Sequence, residues 1–195
     1  TTSVTTVNNL VASGATLTVD GTSTTSLTFN GAAEADGKFS IAGGAGNDTI
    51  TSGSGADTIL GGAGADVIDA GTGNDSILGG DGADVINAGA GNDVVDGGAG
   101  DDVITADSGN DSITTGDGAN TVVLGTNLTS ADTIVGGSGS DTLTFTDNGT
   151  GSTDLNNVTG IETITLGDAV TSVTTVNPLV ASGQTLTVDG SGLTT

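Results

Sequence analysis

The chain has 195 residues, enough for one domain or one elongated repeat module, with 36 glycines, 24 acidic residues, a single lysine and a formal charge of −23. That charge excludes nucleic acid as a partner, because phosphates would be repelled, and three phenylalanines as the only aromatics exclude a core of large side chains. The absence of cysteine and histidine removes disulfides, zinc and copper ligands, and any nucleophile–base pair built on those residues, so no enzyme activity is expected.

A compact state carrying this charge repels itself unless cations compensate it, and Lys38 is alone. Oxygen ligands are plentiful, and they suit a hard divalent cation such as calcium. No apolar run is long enough to span a membrane, and no signal peptide is visible. The chain does not begin with methionine and reads as a piece of a larger protein.

Taken in order, residues 2–21 read TSVTTVNNLVASGATLTVDG and return as residues 171–190, TSVTTVNPLVASGQTLTVDG. Only Asn9/Pro178 and Ala15/Gln184 differ, and the offset is 169 residues. A parent built of tandem units is expected, with neighbouring copies of the unit as partners. Within residues 1–42, an N-terminal β segment, the stretches TLTVD (16–20), SLTFN (26–30) and FSIA (39–42) alternate in the manner of strands.

Residues 43–144 are nonapeptides: GGAGNDTIT, SGSGADTIL, GGAGADVID, AGTGNDSIL, GGDGADVIN, AGAGNDVVD, GGAGDDVIT, ADSGNDSIT and TGDGANTVV, then a stretched LGTNLTSADTIV and a regular GGSGSDTLT. The sixth position is Asp48, Asp57, Asp66, Asp75, Asp84, Asp93, Asp102 and Asp111 without interruption, lapses at Asn120, and resumes at Asp132 and Asp141. Three extra residues before Asp132 interrupt the period. The eighth position is always aliphatic, as at Ile50, Ile68 and Val95, and is read as core. Units opening with Gly-Gly alternate with units opening with Ser or Ala, so like follows like every eighteen residues. A flattened coil of two nonapeptides explains this, with successive coils stacked as parallel strands about 4.8 Å apart.

In GGAGADVID (61–69) the first six residues are expected to turn, and Val67-Ile68-Asp69 to form a short strand with Ile68 inward. Stacked turns would bring backbone carbonyls and one aspartate from each coil around a calcium ion, giving about six oxygens. Asp48, Asp66, Asp84 and Asp102 would line one side, and Asp57, Asp75, Asp93 and Asp111 the other, with about seven to eight ions in the regular core. Asp69, Asp81, Asp96, Asp101, Asp107 and Asp117 are read as solvated charge. Asp20, Asp189, Asp147, Asp154, Glu162 and Asp168 are candidates for further calcium at unit junctions.

These nonapeptides closely resemble the GGxGxDxUx repeats of RTX (repeats-in-toxin) proteins. The resemblance implies an all-β fold, a right-handed parallel β-roll or β-solenoid with calcium between its coils. It places the metal-ligand role on the eight regular aspartates and on Asp132 and Asp141. Residues 145–169 complete the unit with IETITL (161–166) as a strand, and residues 170–195 begin the next one; the flanks would prolong the solenoid or form a small separate β segment. The stretch NNVTGIETITLGD (156–168) is similar to segments of bacterial surface-layer proteins and large secreted adhesins. This implies a structural repeat of a secreted surface protein that folds on calcium outside the cell, with self-assembly or cell-surface partners. The alternative is an accessory folding and secretion module of a secreted enzyme or toxin. An ice-binding face is poorly supported, since only Thr72 with Asn74 gives a matched pair in the turns.

Overall fold

Period-two alternation between glycine-rich corners leaves the chain one way to bury its aliphatic residues, which is to turn back and stack each strand on the strand one coil earlier. The computed structural model describes residues 1–6, 10–146, 155–167, 185 and 187–189. Its first strands are β1 (Thr2–Thr5), β2 (Thr16–Asp20), β3 (Leu27–Asn30) and β4 (Lys38–Gly44). The repeats supply β5 (Thr49–Ser54), β6 (Thr58–Ala63), β7 (Val67–Thr72), β8 (Ser76–Asp81), β9 (Val85–Gly89) and β10 (Val94–Ala99). They continue through β11 (Val103–Ala106), β12 (Ser112–Thr114), β13 (Thr121–Gly125), β14 (Thr133–Val135) and β15 (Thr142–Phe145). The last are β16 (Val158–Thr159), β17 (Thr163–Leu166) and β18 (Thr187–Asp189). Among the described residues there is no helix.

Strands alternate between two parallel sheets. The odd-numbered strands from β1 to β17 form one sheet, with β18 added beside β17, and the even-numbered strands from β2 to β16 form the other. The result is an all-β parallel solenoid of about eight coils. Both flanks join these same sheets, so they prolong the solenoid. Through the repeats the register offset is eighteen residues, as in Ile50↔Ile68 and Ile59↔Ile77. The extra residues before Asp132 bulge into the corner ahead of β14, so Ile113 still pairs with Ile134.

From β5 to β10 the strands run further than a three-residue reading of each unit allows, while β12 and β14 keep to it. β7 continues through Ala70 and Gly71 to Thr72, and Gly53↔Gly71 and Gly62↔Gly80 are ladder partners. Glycine backbone makes this extension possible. Gly62 has φ of 118°, and a Cβ there would fall on the carbonyl of Gly44 in the coil above. From β5 to β9 each corner shrinks to three residues, ending at the aspartate.

The interior is a column of inward side chains one coil apart: Phe29, Ile50, Ile68, Ile86, Ile104, Val122, Leu143 and Ile164 from one sheet, facing Ile41, Ile59, Ile77, Val95, Ile113, Ile134 and Val158 from the other. Phe29 and Phe39 meet edge to face at 5.0 Å between ring centres, filling the N-terminal end of this thin core. Outward neighbours on the same strands, Val67, Val85 and Val94, are about half exposed. Ile86→Ala should therefore cost about 2–5 kcal/mol in denaturant unfolding with calcium present. The adjacent Val85→Ala should stay within about 0.5 kcal/mol.

Candidate metal centres

Each sixth-position aspartate sits where a corner becomes a strand, and its two carboxylate oxygens meet different surroundings. Oδ1 accepts the backbone N–H of the equivalent residue one coil earlier. Asp66 takes the amide of Asp48, Asp84 that of Asp66, and Asp102 that of Asp84, each at 2.8 Å. Along the other edge Asp75, Asp93 and Asp111 take the amides of Asp57, Asp75 and Asp93 at 2.8, 2.9 and 3.0 Å. The ladders begin on apolar residues, Leu27 N–H to Asp48 and Phe39 N–H to Asp57. The sixth-position amide at the end of each corner thereby finds its partner in the next coil.

Oδ2 has no such partner. In Asp48, Asp57, Asp66, Asp75, Asp84, Asp93 and Asp102 this oxygen is buried and without a hydrogen bond. A stack of buried, unpaired carboxylate oxygens is far too costly to persist without a cation. Along the edge whose units open with Gly-Gly, a carbonyl faces the same point. A Cβ built on Gly61 would lie 2.5 Å from both Asp66 Oδ2 and Gly79 O. The same pairing joins Asp48 with Gly61 O, Asp84 with Gly97 O, Asp102 with Thr115 O and Asp141 with Gly160 O. These are oxygens of the kind calcium takes, one carboxylate and one carbonyl from successive coils. Among the described residues no three acidic side chains converge, so any such centre relies on backbone oxygens.

The other edge is built differently. Its units open with Ser52, Ala70, Ala88 and Ala106, which carry a Cβ where the Gly-Gly units have none. Ser52 and the three alanines are buried there. The alternation visible in the sequence thus separates two kinds of corner, one opening on glycine and one on a residue with a Cβ.

Burial is the first cause that pushes these carboxyls above the usual range, opposed by the accepted amide bond and reinforced by like charges one coil away. Asp66 and Asp84 rise to about 6, Asp75 to about 7 and Asp111 to about 6. Asp57, Asp93 and Asp102 are raised as well, each chiefly by burial.

Asp132 and Asp141 hold their ladder places, accepting the amides of Asp111 and Asn120. Their second oxygens are engaged, however, by the N–H groups of Thr129 and Gly137. Asn120 keeps the ladder intact without a charge, its Oδ1 taking Asp102 N–H at 2.9 Å. Glu162 ends that ladder by accepting Asp141 N–H at 2.8 Å. Asp20 closes a local turn onto Thr22, whose hydroxyl and amide hold its carboxyl below the usual range. Asp189 lies in β18, and Asp147, Asp154 and Asp168 lie outside the described residues. Asp81, Asp96, Asp101, Asp107 and Asp117 are exposed, and Asp69 is half-buried against Asn87.

Sequence reading missed two features. Glu34 is fully buried, accepting Val11 N–H through Oε2 while Oε1 has no partner. It lies outside any repeat, so no periodicity pointed to it. Asn74 and Asn92 form a second ladder in the corners, taking the amides of Asn92 and Asn110. Its signal was asparagine recurring at the fifth position of alternate units.

Fold and corners together define a parallel β-solenoid whose coils are joined by stacked carboxylates and carbonyls, a calcium-type β-roll. The family model of the RTX calcium-binding nonapeptide repeat, four copies long, matches residues 40–68, 60–95, 69–104, 96–126 and 128–144. The chain belongs to this family, and residues 40–144 are a calcium-binding repeat module. No curated protein and no solved structure matches the chain.

Asp84→Asn should leave the Asp66 amide bond in place, as Asn120 does for Asp102, while removing a charge. Calcium titration of this variant should show an affinity loss no smaller than the roughly 10–100-fold typical of an outer-shell partner. Acidity should act on the metal-free chain in the opposite sense to ordinary acid denaturation. Carboxyls whose folded pKa is raised bind more protons when folded, so their contribution is complete below about 4 and is lost as pH rises through about 6 to 7. Circular dichroism in chelator should gain β signal on going from pH 7.5 to 4.5, while calcium affinity falls over the same interval.

Proposed function

We propose that the chain is a structural repeat of a secreted bacterial surface protein, a surface layer, filament or long adhesin, that becomes ordered on calcium outside the cell. The observation that carries this reading is the run of seven aspartates with one buried, unpartnered oxygen each, stacked one coil apart along both edges. Asp48, Asp66, Asp84 and Asp102 would hold calcium on the Gly-Gly edge, and Asp57, Asp75, Asp93 and Asp111 on the other. Asp132 and Asp141 would contribute once Thr129 and Gly137 release them. Bound calcium supplies the positive charge that Lys38 alone cannot, and with it a bridge between successive coils.

The protein's own part is to bring the oxygens together. Oδ1 anchors each aspartate to the coil above, so Oδ2 points into the corner without further cost of ordering. On the Gly-Gly edge, glycine backbone lets the carbonyl of the next coil approach. At the sub-micromolar calcium of a cytosol these ladders would repel and keep the chain open; outside, folding and binding would be one event. The 169-residue repeat favours a long tandem parent over a single accessory module beside a catalytic domain.

Far-UV circular dichroism during calcium titration, with magnesium as control and native mass spectrometry to count ions, tests the calcium mechanism. The expected result is a calcium-specific gain of β signal saturating at about seven to eight ions. A chain equally folded in chelator at neutral pH would remove the basis for the proposal.

A further inference from the structure

The two copies of the repeated segment lie in different sheets. Residues 18–20 and 187–189 are the same tripeptide, Thr-Val-Asp, at corresponding places 169 residues apart. In the first copy it belongs to β2, at the edge of the even-numbered sheet, with Thr18 beside Ser40. In the second it is β18, in the odd-numbered sheet, with Thr187 beside Thr163 and Asp189 beside Thr165.

Strand parity accounts for the exchange. From β1 to β17 the described residues form seventeen strands that alternate strictly between the sheets, beginning and ending in the odd-numbered one. Each strand is half a coil, so the seventeen described strands amount to eight and a half coils. The next unit therefore starts on the opposite side of the solenoid. The register agrees: Thr163 to Thr187 is one coil of 24 residues, close to the 25 that separate Thr2 from Leu27 at the other end.

We infer that successive units stack end to end as one solenoid and that each unit is turned by half a coil relative to the one before. The end of the unit at β17 is thus a docking surface for a second copy of this same unit, entered by its β2 segment. Open parallel strand edges require such a partner or a cap, and the repeated segment already begins to supply it here. Two consequences follow from the half coil. The odd-numbered sheet of one unit continues as the even-numbered sheet of the next, so both flanks of a tandem array carry both surfaces in turn. The Gly-Gly corner row likewise passes to the opposite edge at each junction. Each unit would extend the array by about 41 Å, and the full structural period would be two units.

This inference rests on the tandem-repeat reading above, and the solenoid must be folded for the test. The chain has no cysteine, so paired substitutions read without background. Thr163→Cys with Thr187→Cys places the thiols on facing residues of β17 and β18. Asn157→Cys with Thr187→Cys is the control, because Thr187 would lie over Asn157 if the second copy entered the even-numbered sheet as the first does. Both variants of the 195-residue chain are oxidised mildly in saturating calcium, checked by circular dichroism, and mapped by mass spectrometry after Asp-specific digestion. The expected outcome is a 163–187 disulfide in most of the sample and little or no 157–187 disulfide. A dominant 157–187 link, or neither link in a folded sample, overturns the half-coil junction while leaving the calcium reading intact. A chain that stays unfolded in calcium overturns both, and the spectrum distinguishes that case.

Discussion

Everything in this molecule depends on a carboxylate whose two oxygens are used differently. One oxygen of each sixth-position aspartate closes the backbone of the coil above, as Asp84 does for the amide of Asp66 at 2.8 Å. That bond fixes the spacing of the coils at the corner and buries the second oxygen beside it. The corner is thus rigid and satisfied on one side, charged and unsatisfied on the other. Repeating it along two edges leaves a row of buried carboxylate oxygens without a hydrogen bond on each, a charge that a cation from outside would offset. The same conflict is why burial lifts Asp75 to about 7 in the metal-free chain.

The thin core explains why so much rests on the corners. Each coil contributes two inward aliphatic residues, such as Ile68 and Ile77, with small residues such as Ala70 between them. Such a column packs along the axis but has little width, and the Phe29–Phe39 pair broadens it at the N-terminal end. Hydrophobic burial sets which way the strands face, while the bonding at the edges sets how coils stack. The ladder tolerates loss of charge where its hydrogen bond survives, as Asn120 demonstrates between Asp102 and Asp141. It also tolerates a longer reach, since Glu162 completes the same row.

Calcium binding, strand direction and coil length were all legible in the repeats, because each depends on residues at a fixed spacing. Ile68 had to face inward once the strand was recognised, and Asp66 had to lie over Asp84 once the coil was eighteen residues long. The isolated elements were less legible. Glu34 has no periodic partner, and its burial arises from how residues 10–15 fold back over the corner before β4. There Val11 donates its N–H to the Glu34 carboxylate, and Ala15 O accepts the amide of Lys38.

By itself, then, the sequence determined the periodic part of the protein: the β-solenoid, the inward aliphatic column, the two rows of aspartates and the preference for a hard cation. Periodicity does this because a repeated unit that packs on its neighbour must place like residues over like. Only the tertiary structure decided which oxygen of each aspartate is bonded and which is bare, that a carbonyl of the next coil faces the Gly-Gly corners, and that the flanking strands join the same sheets. These depend on contacts between coils, where the approach of one backbone to the next is set by three-dimensional stacking and not by the order of residues along a single unit.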